Sequence, residues 1–231
     1  MKTIGLIGGM SWESSIEYYR IINETVKTKL GGLHSAKSIM VSVDFAEIEI
    51  LQHQGKWVEA AQMLIEAAKN IETGGADFIV LCTNTMHKVS NEIQVNVKIP
   101  LLHIADATAQ RVKDAGIQKI GLLGTRFTME EDFYKGRLSQ KYGLSVIVPN
   151  AQEREIVHRV IYDELVIGDI RQHSKEQYLG IIEQMVNQGA QGVILGCTEI
   201  GLLIHQQDCQ VPLFDTTRIH AEAAVAYALE R

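Results

Sequence analysis

The chain has 231 residues, of which 46% are hydrophobic and 22% charged, an ordinary balance for a globular protein with a sizeable core. The formal net charge of −6 argues against nucleic acid or an anionic membrane as the main partner, since both favour a basic patch. The sequence shows no bilayer-length apolar run, no signal peptide and no CxxC pair among its three cysteines, so we expect a cytoplasmic protein.

Strand-like and helix-like segments alternate through the first hundred residues. The strand-like segments are near-continuous runs of β-branched residues and leucine, as expected when helices cover both faces of a sheet. In chain order we predict a strand at 3–7, a helix at 12–30, a strand at 39–43, a helix at 57–72, a strand at 78–81 and a helix at 85–96. This alternation indicates βαβ units and a parallel sheet.

The rest of the chain follows the same pattern, and Pro100 and Pro212 each open a short strand at matching points. Here we predict strands at 100–103, 119–123, 145–148, 192–195 and 212–214, and helices at 105–113, 129–142, 152–165, 169–187 and 216–230. The predicted fold is α/β, with two pseudo-symmetric half-domains, each a mostly parallel sheet flanked by helices. Residues 1–98 with 208–231 form the first half-domain and 99–207 the second, and the site is expected in the cleft between them.

The two halves also repeat each other in sequence. Residues 75–83 read GADFIVLCT, and residues 189–197 read GAQGVILGC, 114 residues later. Residues 4–8 and 120–124 form a second matching pair. The repeat makes Thr83 the equivalent of Cys197. Two half-sites that face each other would suit a reaction that needs an acid on one face of a carbon and a base on the other.

Ligands of open α/β sheets bind outside the carboxyl ends of the strands. Four loops are predicted there, at residues 8–11, 83–85, 124–128 and 197–199. All are rich in Gly, Ser, Thr or Asn, which expose backbone N–H groups or donate from short side chains. Such loops can hold a carboxylate without Lys or Arg.

Cys197 and Thr83 are the residues in these loops with the most distinctive chemistry. Cys197 is predicted to follow a strand and precede a helix N-terminus, where the helix dipole would lower the thiol pKa and favour the thiolate. The alternative is an inert, buried cysteine. The Thr83 hydroxyl could donate or relay a proton or bind the ligand, whereas the alternative is a cap of the next helix.

The sequence also predicts roles for four other residues. Strand alternation turns Cys82 into the core, and Cys209 is predicted to be packing or surface. His87 is expected to be a structural hydrogen-bonding residue. Glu199 could orient Cys197, accept a substrate ammonium, or complement a helix dipole. The histidines and cysteines show no metal-binding spacing, and Gly5-x-x-Gly8-Gly9 does not satisfy the dinucleotide-binding pattern.

Four motifs span almost the whole chain: GLIGGMSWES at 5–14, TNTMH at 83–87, GLLGT at 121–125 and GCTE at 196–199. In this order they resemble the aspartate/glutamate racemase family, specifically its aspartate-racemase branch and the broad-specificity amino-acid racemases. The resemblance implies an isomerase that interconverts L- and D-amino acids by means of two cysteines on opposite faces of the substrate Cα. It also implies no pyridoxal phosphate, metal or other cofactor, and a homodimer is common in the family.

The resemblance assigns roles to particular residues. Cys197 takes the place of one catalytic cysteine, and Thr83 stands where the family has the other. The residues implied to hold the α-carboxylate and ammonium are Asn84, Thr85 and Thr198, joined by Met10 and Thr125, with Glu199 as a further candidate.

The sequence departs from the family pattern at two places that concern the substrate side chain. Aspartate racemases carry a Lys where this chain has Val166, and an Arg in a segment where no Arg occurs between Arg20 and Arg111. Gln52 is the polar candidate left in that segment. A charge-assisted contact contributes about 1.5–3 kcal/mol, so these losses favour neutral or polar side chains relative to Asp and Glu.

Two other functions remain open. A decarboxylase or isomerase of the same superfamily would need a single cysteine, which Cys197 could supply. A non-catalytic amino-acid-binding protein would have lost activity with the first cysteine.

Overall fold

The computed structural model describes residues 1–230, which divide into two compact units. The first comprises Met1–His103 and the C-terminal segment from His220, and the second comprises Ile104–Ile219. Each unit contains one four-stranded parallel sheet flanked by helices, which confirms the α/β prediction. No helix within the described residues is both long and apolar enough to cross a lipid bilayer.

The sheet of the first unit has the strand order β2-β1-β3-β4. Its strands are β1 (Ile4–Gly8), β2 (Ser38–Ser42), β3 (Phe78–Leu81) and β4 (Leu101–Leu102). The helices are α1 (Trp12–Leu30), α2 (Phe45–His53), α3 (Trp57–Thr73) and α4 (Ser90–Asn96), and a 3-10 helix (Thr85–Val89) runs into α4. All strand pairs are parallel, as expected for βαβ units.

Both faces of this sheet are covered, which explains the continuous apolar runs. Leu6 and Val80 pack into one core cluster together with Tyr18 of α1. Ile7 and Leu81 point to the other face and pack against a cluster that includes Leu64 of α3. Each fully buried side chain of this kind contributes about 1.5–3 kcal/mol, so the two inner strands are fixed from both sides.

The second unit repeats this arrangement with the strand order β6-β5-β7-β8. Its strands are β5 (Lys119–Gly124), β6 (Ser145–Ile147), β7 (Val193–Gly196) and β8 (Leu213–Asp215). The helices are α5 (Ile104–Asp114), α6 (Arg126–Glu130), α7 (Ala151–Asp163), α8 (Gln172–Asn187) and α9 (Ile200–Leu203), and α10 (Thr216–Leu229) returns the chain to the first unit. Strand β7 thus has the position in its sheet that β3 has in the first.

The units divide later along the chain than the sequence indicated. The sequence-based boundaries at 98/99 and 207/208 assigned the short strands opened by Pro100 and Pro212 to the half-domain that follows each boundary. In the structure β4 pairs with β3, and β8 pairs with β7. Each short strand therefore completes the sheet that precedes it, and the chain crosses after His103 and after Ile219.

Most predicted elements lie within three residues of those observed, and the exceptions have local causes. The predicted helix at 129–142 is wrong: α6 starts earlier, capped by Thr125, and a separate five-residue π-helix covers Arg137–Lys141. The helix predicted at 85–96 divides into the 3-10 helix and α4. Helix α2 was not predicted, although the Asp44 side chain caps it by accepting from the Ala46 N–H.

Candidate active site

In the first unit, the loops after β1 and β3 meet at the carboxyl end of the sheet. The Cys82 N–H donates to the Ile7 carbonyl across 2.9 Å, which ties the two chain segments together. Gly9 has a φ of +96°, and an added Cβ would clash with the backbone of Val43, so only glycine fits there. Met10 follows with a cis Met10–Ser11 peptide bond, and its side chain is buried.

The backbone of Thr83 is fixed at both of its polar groups. The Thr83 N–H donates to the Leu81 carbonyl at 2.9 Å, and the Thr83 carbonyl accepts from His87 Nδ1 at 2.7 Å. Cys82 separates β3 from the consecutive residues Thr83, Asn84 and Thr85, all three of which are buried. These three predicted site residues therefore form one buried, hydrogen-bonded segment just past the end of β3.

Gln52 also reaches this segment, from α2. Its side chain is buried, and its Nε2 lies 3.0 Å from the sulfur of Met86. Met86 and Met10 belong to the same core cluster. The structure therefore gathers all five site residues predicted in the first unit at one end of its sheet.

In the second unit, Cys197 directly follows β7 and shares a carboxylate with its neighbour. The Cys197 thiol donates to Glu199 Oε2 at 2.9 Å, and the Thr198 hydroxyl donates to the same oxygen at 2.8 Å. Glu199 is only 2% exposed. Burial of a carboxylate requires such donors, so the three predicted residues form one hydrogen-bonded group.

The expected lowering of the Cys197 pKa is wrong. Helix α9 starts at Ile200 and has only four residues, so Cys197 lies outside a very short helix. Burial and the adjacent Glu199 carboxylate raise the pKa of the Cys197 thiol well above its ordinary value. The thiol, hydrogen-bonded to a carboxylate, is therefore the resting form.

Thr125 follows β5, the strand beside β7. Gly124 is paired with Gly196, so Thr125 and Cys197 follow directly from neighbouring positions of the sheet. The Thr125 hydroxyl lies 3.2 Å from the Thr128 hydroxyl and caps α6 by accepting from the Thr128 N–H. This second role of Thr125 was not recognised from the sequence.

Val166 lies in a short 3-10 helix (Leu165–Ile167) that follows α7. Its side chain packs against the same apolar cluster as Cys197. The position where the resemblance led us to look for a lysine is therefore apolar and adjoins the cluster that supports Cys197.

Sequence reasoning missed Tyr178, which is buried on α8. Its hydroxyl donates to the Val157 carbonyl at 2.9 Å. Burial, with a contribution from the nearby Cys197, raises the pKa of Tyr178 well above its ordinary value. A lone Tyr on the apolar face of a helix gives little signal in a sequence, because it has the same pattern as an ordinary core residue.

The remaining cysteines have the predicted environments. Cys82 is fully buried, and burial raises the pKa of its thiol. Cys209 is partly buried against the apolar cluster of the second unit. In the described part of the chain, no group of three or more His, Cys, Asp or Glu side chains is arranged to hold a metal ion.

The chain resembles known proteins along nearly its whole length. A family described as Asp/Glu/hydantoin racemase matches residues 7–224. The crystal structure of a candidate Asp/Glu racemase from Yersinia pestis is 58% identical, covers both chains completely and superposes with a TM-score of 0.93. An aspartate racemase homologue from Pyrococcus horikoshii is 38% identical over the full length of both chains, with a TM-score of 0.86.

A curated relative points in the same direction. The broad-specificity amino-acid racemase RacX of Bacillus subtilis is 26% identical over 175 residues, which is 73% of this chain and 72% of RacX. The family match includes both strand-end segments that carry Thr83 and Cys197. The chain belongs to the Asp/Glu/hydantoin racemase family and is an isomerase of the amino-acid racemase type.

Proposed function

We propose that this racemase uses Cys197 and Thr83 as its acid/base pair, without pyridoxal phosphate or metal. One residue removes the α-proton of an amino acid, and the other side of Cα receives a proton from the second. The observation that carries the proposal is the equivalent placement of the two residues. Each follows the third strand of its own sheet, β3 or β7, in the same strand order.

Glu199 is the proposed proton acceptor for the Cys197 thiol. The Sγ–Oε2 distance of 2.9 Å allows direct transfer of the thiol proton to the carboxylate. The resulting thiolate then takes the α-proton from the substrate. Because the raised pKa makes this thiolate a strong base, it suits removal of a weakly acidic Cα–H.

On the opposite face of the substrate Cα, the proton donor is the Thr83 hydroxyl or a water that it holds. This oxygen gives a proton to the enolate-like intermediate and is reprotonated from solvent. The α-proton restores the Cys197 thiol, and Glu199 releases to solvent the proton that it first accepted, so no net charge accumulates over a turnover. A hydroxyl is far less acidic than a thiol, so the two half-sites differ in strength as bases.

This difference has a defined kinetic consequence. The equilibrium constant between the free enantiomers is one, so kcat/KM is the same in both directions. The difference between the two half-sites can therefore appear only in kcat and KM separately, and in the rate at which each enantiomer exchanges its α-hydrogen.

The substrate α-carboxylate and ammonium are proposed to bind the short polar residues of both units. In the first unit these are Asn84 and Thr85, with the Met10 loop. In the second they are Thr125 and Thr198. Backbone N–H groups and short donors of this kind stabilise the negative charge that develops on the carboxylate as the α-proton leaves.

Broad specificity is the proposed substrate range. The Val166 side chain offers no positive charge, and it packs against the apolar cluster that also supports Cys197. Gln52 contributes an amide in place of a cation. These features support neutral or polar side chains in addition to Asp and Glu, and the resemblance to a broad-specificity relative is consistent with that range.

Hydrogen exchange in D₂O tests the proposal directly. We expect a panel of L-amino acids to acquire α-deuterium and to form the D-enantiomer with the wild-type protein. Cys197→Ala should abolish both, whereas the control Cys209→Ala should retain them. Thermal stabilisation by amino acids without exchange would instead indicate a binding protein, and CO₂ release from geminal diacids would indicate a decarboxylase.

A further inference from the structure

His87 binds two successive carbonyl groups of the Thr83 segment. Its Nδ1 lies 2.7 Å from the Thr83 carbonyl oxygen, and its backbone N–H donates to the Asn84 carbonyl at 3.1 Å. The side chain is 1% exposed. A single residue thus fixes the two peptide groups that flank Asn84, in a 3-10 turn that lacks the regular hydrogen bonds of an α-helix.

The hydrogen-bond partners define the proton positions on the rings. A carbonyl oxygen only accepts, so Nδ1 of His87 carries a proton. By the same reasoning Nε2 of His220 donates to the Leu102 carbonyl at 2.8 Å, and its Nδ1 accepts from the Tyr18 hydroxyl at 2.9 Å. Burial lowers the pKa of His220 to about 4, in agreement with this neutral form.

His87 is held in place by a buried group of aromatic rings. Its ring centroid lies 4.5 Å from that of His103 and 5.9 Å from that of His220. Tyr18 packs edge-on against His220 at 5.7 Å. These rings come from α1, α10, the 3-10 turn and the end of β4, so the orientation of His87 is fixed by the core of the first unit.

The second unit has no equivalent of this arrangement. The residue that corresponds to His87, 114 positions later, is Gly201. The Cys197 carbonyl accepts instead from the backbone N–H of Ile200 at 3.2 Å. A Cβ at Gly201 would lie 3.1 Å from Asp215 Oδ2, which leaves little room for a larger residue. A side-chain donor equivalent to His87 is therefore absent at this position of the second unit, because Gly201 has no side chain.

We propose that His87 is a positioning residue that fixes the Thr83 peptide and thereby places the Thr83 hydroxyl for proton return to the substrate. This inference rests on the proposed role of Thr83. A group that transfers a proton must lie within about 2.6–3.2 Å of its partner atom, and the peptide that His87 holds sets the position of the Thr83 hydroxyl. A displacement of about 1 Å in such a site can cost a factor of about 100 in rate.

Two substitutions separate the hydrogen bond from the bulk of the ring. His87→Leu removes the donor and leaves the Thr83 carbonyl without it, whereas His87→Asn retains an N–H donor at nearly the position of Nδ1. His87→Gln is the matched control, because its amide extends past that position.

The informative measurement compares two rates in D₂O. One is exchange of the substrate α-hydrogen with retention of configuration, and the other is inversion to the opposite enantiomer. The measurement uses the enantiomer that still exchanges in Thr83→Ala, since this is the one deprotonated by Cys197. For His87→Leu and His87→Gln we expect inversion to fall at least about tenfold, while exchange with retention changes less than about threefold. His87→Asn should recover most of the inversion rate.

A purely structural role of His87 predicts a different result. Exchange and inversion would fall together in His87→Leu, and this result, or full activity of the variant, would overturn the inference. If His87→Leu does not fold, the comparison of His87→Asn with His87→Gln still tests the inference. In the Thr83→Ala background, substitution of His87 should cost no further inversion. Failure of Cys197→Ala to abolish exchange would instead refute the proposed function, whatever His87 does.

Discussion

Replacement of Glu199 by Gln should increase the thiolate population of Cys197 and yet slow racemisation. The amide keeps the size and the acceptor oxygen of the carboxylate but removes its charge. The thiol now donates to that carboxylate, and the negative charge of Glu199 helps to raise the thiol pKa. Without this charge the thiolate is easier to form and is a weaker base toward the substrate Cα–H.

The size of the effect follows from the distance between the two groups. Two unit charges about 4 Å apart repel each other by about 1 kcal/mol in water and by about 4 kcal/mol near a protein surface. The Cys197 sulfur lies 2.9 Å from the nearer carboxylate oxygen, and the charge is spread over both oxygens. Since about 1.4 kcal/mol is a tenfold change, we expect at least about five times more thiolate at neutral pH.

Alkylation by iodoacetamide reports the thiolate directly. In a Cys209→Ser background, the alkylation rate of Cys197 should rise at least about fivefold in Glu199→Gln. The racemisation kcat should fall at least about tenfold, since the local proton acceptor is lost. Glu183→Gln, on the exposed face of α8, is the matched control and should change neither rate. Unchanged alkylation, or faster racemisation, would refute the reasoning.

Three further predictions concern stability and specificity. Because burial lowers the pKa of His220 from 6.5 to about 4, protons bind preferentially to the unfolded chain as the pH falls between these values. The wild type should therefore lose about 2 kcal/mol of unfolding free energy between about pH 7 and pH 5 in urea titrations, and His220→Gln should lose clearly less. Val166→Lys should raise kcat/KM for Asp and Glu relative to neutral amino acids at least about tenfold, provided that thermal melting shows a folded variant. Asn150 forms a capping box with Glu153 at the start of α7, so Asn150→Ala should cost about 1 kcal/mol in chemical denaturation and Asn150→Asp much less.

The sequence by itself determined the fold class and the two strand ends that matter. Continuous apolar runs such as β1 and β3 require helices on both faces of a sheet, so alternation alone identified the parallel βαβ units. The internal repeat related Thr83 to Cys197, and the equivalent positions of β3 and β7 in their sheets agree with that relation. These features are local or periodic, and they can therefore be recognised in a chain without coordinates.

Only the tertiary structure decided the chemistry around those positions. The Cys197 pKa rises instead of falling, because the orientation of the Glu199 side chain and the short length of α9 are set by packing. The ring contacts of His87 bring together residues from distant parts of the chain. Hydrogen-bond direction, burial and electrostatic coupling depend on distances of a few ångströms between such residues, and residue spacing does not encode those distances.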